Sequence, residues 1–246
     1  MNLTTRILGL AAMLGAGSLM LGHFAWIGPV AAPLKVGETA KVHIGNGHDF
    51  PGSESPLSQD KLSVWAVAPS GAKMEVAVAP AEKHLMGTFP VKEAGVYRIV
   101  FTHDRGVFSK TTKGFKPGGR DMHPEATESY KLYRTAISYA ATSGKAFGKE
   151  KPLGLLYEMV PEKTGEGVVV TVLAGGKPCA GAKISVVWPN KEDEEVGQTG
   201  ADGKFLFKMA AGTKGPVLLL ADHKTPAPKG APYDTENWAG ALALYW

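Results

Sequence analysis

Cysteine is nearly absent from this chain of 246 residues, which contains only Cys179. A single cysteine cannot form a disulfide within the chain, so the fold must be stabilised by burial of apolar side chains. The length is sufficient for one large domain or two of ordinary size. The formal net charge is only +4, and residues of both signs are interspersed. Because a nucleic-acid interface would concentrate Lys and Arg on one face, we expect no nucleic-acid partner.

The chain also lacks the sequence motifs of several enzyme classes. It has no Gly-x-Ser-x-Gly motif, no Walker loop and no dinucleotide-binding fingerprint. None of its seven histidines forms an i,i+4 pair, so no local metal-binding signature is present. Any metal site must therefore be assembled by the fold from distant loops, and we expect a protein that is not an enzyme.

The N-terminal region has the pattern of a secretory signal peptide. Arg6 precedes an uncharged run at 7–22 that is rich in Leu, Ala, Met and Gly. This run is shorter than the roughly 20 apolar residues of a membrane span, which favours cleavage over retention as an anchor. We expect residues 1–22 to be removed, after Ser18 or after Gly22, and the mature protein to be periplasmic. Cleavage after Gly22 would make His23 the first residue.

Residues 23–112 are predicted to form an N-terminal immunoglobulin-like β-sandwich. Short runs rich in β-branched and aromatic residues alternate here with turn residues, as is typical of antiparallel sandwiches. The clearest strand is 96–103, in which Tyr97, Ile99, Phe101 and His103 share one face.

Residues 113–153 differ in composition and are predicted to be a mixed linker. The part at 113–120 contains glycine and proline and few apolar residues. Farther on, the apolar residues after Tyr133 fall at helical spacing, so we expect a short helix there. In the same stretch Thr135, Ile137 and Tyr139 occupy every second position, so a β-strand is the alternative to the helix.

Residues 154–246 are predicted to form a second β-sandwich. The run at 167–173 is an almost unbroken series of Val, Thr and Leu, and Asp202-Gly203 favours a tight hairpin. The fold class predicted for the whole chain is therefore mostly β, with two immunoglobulin-like units joined by a short mixed linker.

The stretch at 43–51 is the strongest candidate for a functional loop. His48 and Asp49 follow a predicted strand and a Gly-Asn-Gly segment, and Phe50-Pro51-Gly52 then provides a turn. Imidazole and carboxylate groups are ligands for divalent transition metals. The alternative is that His48 is an ordinary polar residue of the turn.

Several short motifs follow one another along the chain, namely His23-x-x-Trp26, Gly47-His48-x-Phe50-Pro51, 108–112, Pro152-Leu153-Gly154 with Glu158 and Pro161, and His223. Their order resembles a family of periplasmic proteins associated with cobalt and nickel uptake systems. The resemblance implies metal binding and a membrane uptake transporter as partner, but it does not identify the ligands. Separately, residues 167–221 resemble a carboxypeptidase-regulatory or transthyretin-like domain.

We predict that His23, His48, His103 and His223 bind the metal. His48 and His223 match family positions, and His103 ends its strand, so these nitrogens could converge if the strand ends share one side. If His23 is the first residue, its α-amino group, with an ordinary pKa of about 8, could chelate the ion together with its ring. Nickel or cobalt is expected from the resemblance, and the ligand types also permit copper.

Two other functional classes remain open from the sequence. An N-terminal histidine and a second histidine on a β-sandwich is the ligand set of copper-dependent oxidative enzymes. Alternatively, both β units could be non-catalytic scaffolding beside a transporter. Metal stoichiometry distinguishes the scaffold from the metal-binding protein, and copper-dependent turnover would identify the enzyme.

Overall fold

The computed structural model describes residues 23–29, 33–143, 147–209 and 215–245. The predicted signal peptide, 1–22, lies outside the described residues. All regular elements in the described ranges are β-strands, which confirms the prediction of a mostly β fold. In these ranges no helix meets the length and hydrophobicity required to cross a membrane.

The described strands are numbered in chain order. They are β1 (Phe24–Pro29), β2 (Thr39–Gly47), β3 (Leu62–Val67), β4 (Lys73–Glu75), β5 (Ala77–Pro80), β6 (Leu85–Pro90), β7 (Val96–Thr111), β8 (Gly114–Pro117), β9 (Glu128–Ala141), β10 (Tyr157–Lys163), β11 (Gly167–Ala174), β12 (Lys177–Pro178), β13 (Lys183–Val187), β14 (Glu194–Gln198), β15 (Lys204–Lys208), β16 (Pro216–Pro226) and β17 (Thr235–Tyr245).

These strands form three sheets. The first has the order β1-β2-β6-β5, and the third consists of β10, β11, β12 and β15. The central sheet has the order β14-β13-β16-β17-β9-β7-β3-β4, with β8 paired to β7. Within the central sheet, β9 and β17 run parallel and the other pairs are antiparallel.

The central sheet is buried on both faces because its strands alternate between two apolar cores. Ile99 and Phe101 of β7 belong to the first core, against the sheet that contains β1. The intervening Val100 belongs to the second core, against the sheet that contains β10. In β16, Leu218 belongs to the first core and Leu219 to the second. The three sheets are therefore stacked as layers around two cores.

The predicted short helix after Tyr133 is wrong, because this stretch lies within β9. β9 pairs with β7 on one side and with β17 on the other, and both of its faces are covered. Ala136 and Ala140 pack in the first core while Ile137 and Tyr139 pack in the second. When both faces of a strand are apolar, its period of two is masked, and helical spacing can fit the same residues by coincidence.

The segment predicted as a linker, 113–153, therefore contributes the middle of the central sheet. β9 joins strands from the region before residue 112 to strands from the region after residue 154. Arg120, in the same segment, is bound through two nitrogens to the carboxylate of Asp234, with distances of 2.6 and 2.7 Å. The two predicted β units consequently share one sheet.

Candidate metal centre

The loop after β2 folds back on the end of that strand. The main-chain N–H of Asn46 donates to Ser53 Oγ at 2.9 Å, and the N–H of Glu54 donates to the Asn46 carbonyl at 3.0 Å. Gly47 has a φ of 135°, and a Cβ atom at this position would lie 2.8 Å from Cγ and Cδ of Glu54. The glycine thus permits both the left-handed backbone and the close approach of Glu54.

This loop brings His23, His48 and Glu54 together. His23 Nε2 lies 3.1 Å from Glu54 Oε2, and His48 Nδ1 lies 3.3 Å from Glu54 Oε1. The two imidazole rings are 5.0 Å apart between centroids and nearly perpendicular, at 85°. One ligand atom from each of the three residues lies within 4.8 Å of the other two. Among the described residues, no other group of three or more His, Cys, Asp or Glu side chains converges so closely.

The carboxylate of Glu54 is fixed by the main chain as well as by the two rings. The N–H of His48 donates to Glu54 Oε1 at 2.6 Å. This hydrogen bond and the two nearby imidazoles lower the pKa of Glu54. The carboxylate is therefore ionised at neutral pH and supplies a negative charge between the two imidazole rings. Side-chain exposures of 41%, 50% and 32% for His23, His48 and Glu54 leave the cluster accessible from solvent.

Arg134 connects this cluster to the central sheet. Its guanidinium donates to the main-chain oxygen of His23 at 2.5 Å and to Asn46 Oδ1 at 3.4 Å. Burial lowers the Arg134 pKa to about 10, which still leaves the group cationic at neutral pH. The contact fixes the start of β1 and orients the Asn46 amide, whose Nδ2 lies 3.3 Å from His23 Nδ1.

Aromatic packing holds the rest of β1 in place beside the loop. The Phe24 ring lies 5.5 Å from the His48 ring, and Trp26 lies 5.7 Å from Phe24. Trp26 is 1% exposed and covers Gly45, where a Cβ would come within 2.3 Å of the indole. The backbone beneath both histidines is thus part of a packed core, and only their rings and the loop reach solvent.

The cluster fits a divalent transition metal in donor type and spacing. Imidazole nitrogens and carboxylate oxygens bind such an ion at about 2.0–2.2 Å, so two ligands of one ion lie at most about 4.4 Å apart. Both nitrogen–oxygen distances to Glu54 are below this limit. An ion on His23 Nε2 would shift the ring proton to Nδ1, and the Asn46 amide would then turn its oxygen toward the ring. The Arg134–Asn46 bond that opposes this turn is long, at 3.4 Å.

The structure brings together two of the four predicted ligands, His23 and His48, and places the other two elsewhere. His103 is 2% exposed and donates from Nε2 to the carbonyl of Asp60 at 2.9 Å. His223 follows Ala221 of β16, which packs in the second core, so alternation places His223 on the face away from β1. The nitrogen of His23 that faces Glu54 is Nε2, whereas a chelate with the α-amino group would use Nδ1.

Glu54 is the member of the cluster that the sequence analysis missed. It follows His48 by six residues, beyond Pro51 and Gly52, and so lies outside the stretch that predicted the site. The available signal was the turn itself, because a Pro-Gly turn sends the chain back along the strand that precedes it. A carboxylate just after such a turn is therefore a candidate partner for a histidine just before it.

Burial of His103 predicts a dependence of stability on pH. Burial, with smaller contributions from Arg105 and Arg134, lowers the His103 pKa from 6.5 to about 4. Between these values the unfolded chain binds more protons than the folded chain, so the free energy of unfolding should fall as the pH drops from about 6.5 to about 4. Denaturant titrations at several pH values should show this fall, and it should shrink in the variant His103→Gln. An unchanged pH dependence in that variant would contradict the prediction.

Two further histidines meet away from the cluster. The rings of His43 and His84 are 4.2 Å apart between centroids. Burial, and to a smaller extent the neighbouring His84, lowers the His43 pKa to about 4. The sequence analysis did not predict either residue as a ligand.

Comparison with known proteins identifies a family. The model of a family described as "Domain of unknown function (DUF4198)" matches residues 20–225. No curated protein and no solved structure matches the chain. The matched range includes all three residues of the cluster.

Proposed function

The chain belongs to the DUF4198 family, a domain of unknown function, and we propose that it is a periplasmic protein that binds a divalent transition metal and assists its uptake. The observation that carries the proposal is the convergence of His23, His48 and Glu54 at the end of β2. The metal is the cargo of the protein in this proposal, and a membrane uptake transporter is the partner that receives it.

The donor set favours a borderline divalent ion. Two imidazoles and one carboxylate suit nickel, cobalt, copper or zinc better than calcium or magnesium, which prefer oxygen ligands alone. Nickel or cobalt is proposed because of the family resemblance drawn from the sequence. Copper binds more tightly to most such sites, so selectivity would have to come from geometry and from metal supply. The exposure of the cluster suits a cargo that must leave again.

Replacing Glu54 with glutamine tests the role of its carboxylate. In Glu54→Gln the new side chain would retain an oxygen that can accept from the His48 N–H, so the loop should keep its shape while one ligand charge is lost. We expect nickel affinity to fall by more than about 10-fold, the lower end of the loss seen for supporting residues of metal sites. The measurement is calorimetry on chelator-stripped protein that begins at His23.

The matched control for this variant is Glu166→Gln, on an exposed turn far from the cluster in sequence. It removes the same charge from the surface and should leave nickel affinity unchanged. If both variants lose affinity equally, the effect is one of net charge and Glu54 is no ligand.

A copper-dependent oxidative enzyme is the second candidate function. It is favoured by the perpendicular pair of His23 and His48 rings, together with the predicted cleavage after Gly22. Mass measurement of the exported protein tests its premise, because only a chain that begins at His23 has the amine available. Oxygen- or peroxide-dependent turnover by the copper-loaded protein would support the enzyme. Its absence, with nickel bound at one equivalent, would support the transport protein.

A further inference from the structure

The strands β2 and β6 carry a second group of metal-ligating side chains, separate from the cluster at His23. His43 and Met86 are direct partners in the antiparallel register of these strands. Their neighbours Ile44 and Leu85 pack in the first core, so alternation places His43 and Met86 together on the other face. Directly opposite residues have Cβ atoms about 5 Å apart, close enough for their side chains to touch.

His84 completes this group. It lies two residues before Met86, in the β5–β6 turn, where its carbonyl accepts from the N–H of Ala81. Although His84 lies just outside β6, its ring contacts that of His43, with centroids 4.2 Å apart and planes at 60°. To bind one ion through both rings, His84 would have to direct a ring nitrogen toward the point that His43 Nε2 faces.

The environment of His43 points to a ligand-binding role. Its Nε2 atom is buried and has no hydrogen-bond partner among the described residues. Trp26 packs against the ring, with centroids 6.4 Å apart, and holds it against β2. A buried nitrogen without a partner costs free energy, and an ion bound to that nitrogen would satisfy it.

The donors differ in kind from those of the first cluster. Two imidazoles and a thioether are all neutral, whereas the cluster at His23 includes the Glu54 carboxylate. Thioether sulfur is a soft ligand that selects Cu(I). A partly buried site with no charged ligand also favours a monovalent ion over a divalent one, because less charge is removed from water.

We propose that His43, His84 and Met86 form a second metal site that binds Cu(I). This inference does not depend on the proposed transport of nickel or cobalt, since it uses other residues and another ion. The chain would then bind a divalent ion at an exposed site and a soft monovalent ion at a more buried one.

Titration with Ag(I), a soft monovalent ion that is not readily oxidised, tests the site on the chain beginning at His23. Nitrogen-detected spectra of the histidine rings report which imidazoles bind. We expect the ring signals of His43 and His84 to shift at one equivalent, before those of His48. Affinity, measured by competition with a Cu(I) chelator under reducing conditions, should fall by more than about 10-fold in His84→Ala and in Met86→Leu.

Two controls separate this site from other soft ligands. Met122→Leu removes a thioether that is 66% exposed, and Cys179→Ala removes the buried free thiol. Both variants should bind Cu(I) as the parent protein does. The proposal is overturned if Met86→Leu and His84→Ala bind with unchanged affinity, or if either control weakens binding equally.

Nickel titrations of the same variants distinguish this proposal from the proposed function. His84→Ala and Met86→Leu should retain nickel binding, and His48→Ala should retain Cu(I) binding. Loss of Cu(I) binding in His48→Ala, with none in Met86→Leu, would assign the soft ion to the first cluster and overturn the second site.

Discussion

Replacing His48 with alanine should abolish stoichiometric binding of nickel or cobalt. The ring of His48 supplies one of the two nitrogens that face Glu54, at 3.3 Å from its Oε1. Without it, only His23 and Glu54 remain, and two ligands are fewer than the three or four protein ligands of typical tight sites. Loss of supporting residues around metal sites costs about 10–100-fold in affinity, so loss of a direct ligand should exceed about 100-fold. Because His48 is half exposed, the fold should be unaffected.

Calorimetry with His84→Ala as the control decides this prediction. Both variants remove one imidazole that no core strand requires, so a difference between them reports on the site rather than on histidine content. The control should bind nickel as the parent protein does. Equal binding by His48→Ala and the parent would mean that the loop at 46–54 is only a turn, and a scaffold function would then be favoured.

The sequence predicted the loop of the candidate site better than its full ligand set. His48 could be identified because turn residues follow it, and His23 because of the predicted cleavage after Gly22 and the family resemblance. The turn at Pro51-Gly52 made Glu54 a possible partner of His48, but its exact place depends on hydrogen bonds that fold 53–55 back onto Asn46.

The sequence predicts His103 at the end of its strand, but β7 continues to Thr111, so His103 lies in mid-strand. Its ring is buried and donates to the main-chain carbonyl of Asp60. The residues Asp104-Arg105-Gly106 look like a turn in the sequence but form an irregularity within the strand, and this is why His103 was wrongly expected to face a loop.

The contact between His43 and His84 could not be predicted from the sequence either. The two residues are 41 positions apart, and each is separated from the other histidines by ordinary strand and turn residues. They meet because β2 pairs with β6 in the register that opposes His43 to Met86. Register depends on the apolar faces of both strands, Val42 and Ile44 on one and Leu85 and Phe89 on the other, which pack in the first core.

The fold class was predictable because turn residues punctuate β-branched runs throughout the chain. The arrangement of the strands was not, because β9 also fits helical spacing when both of its faces are apolar. This arrangement of strands also affects how the protein unfolds. Two sandwiches joined by a linker could unfold separately, whereas two cores that share the strands of one sheet should lose their structure together.

Phe101→Ala should therefore destabilise the whole described fold in a single transition. Phe101 lies on β7 between β3 and β9, is fully buried, and packs in the first core. Removing a buried phenylalanine side chain typically costs about 3–5 kcal/mol, the sum of lost burial and the cavity left behind. The mutation is confined to one face of the central sheet, but β7 and β9 also carry residues of the second core. Both cores should lose stability equally.

Denaturant unfolding followed at two places measures this effect. Trp26 lies in the first core and Trp188 packs against the second, so chains that retain one of these tryptophans at a time report on each face. The two curves should coincide in the parent and shift together in Phe101→Ala. Leu206→Ala, at a surface position of β15, should shift neither by more than about 0.5 kcal/mol. A shift of the Trp26 curve alone would contradict the prediction. It would mean that the second core keeps its stability when the first core is destabilised, so that the two cores unfold independently.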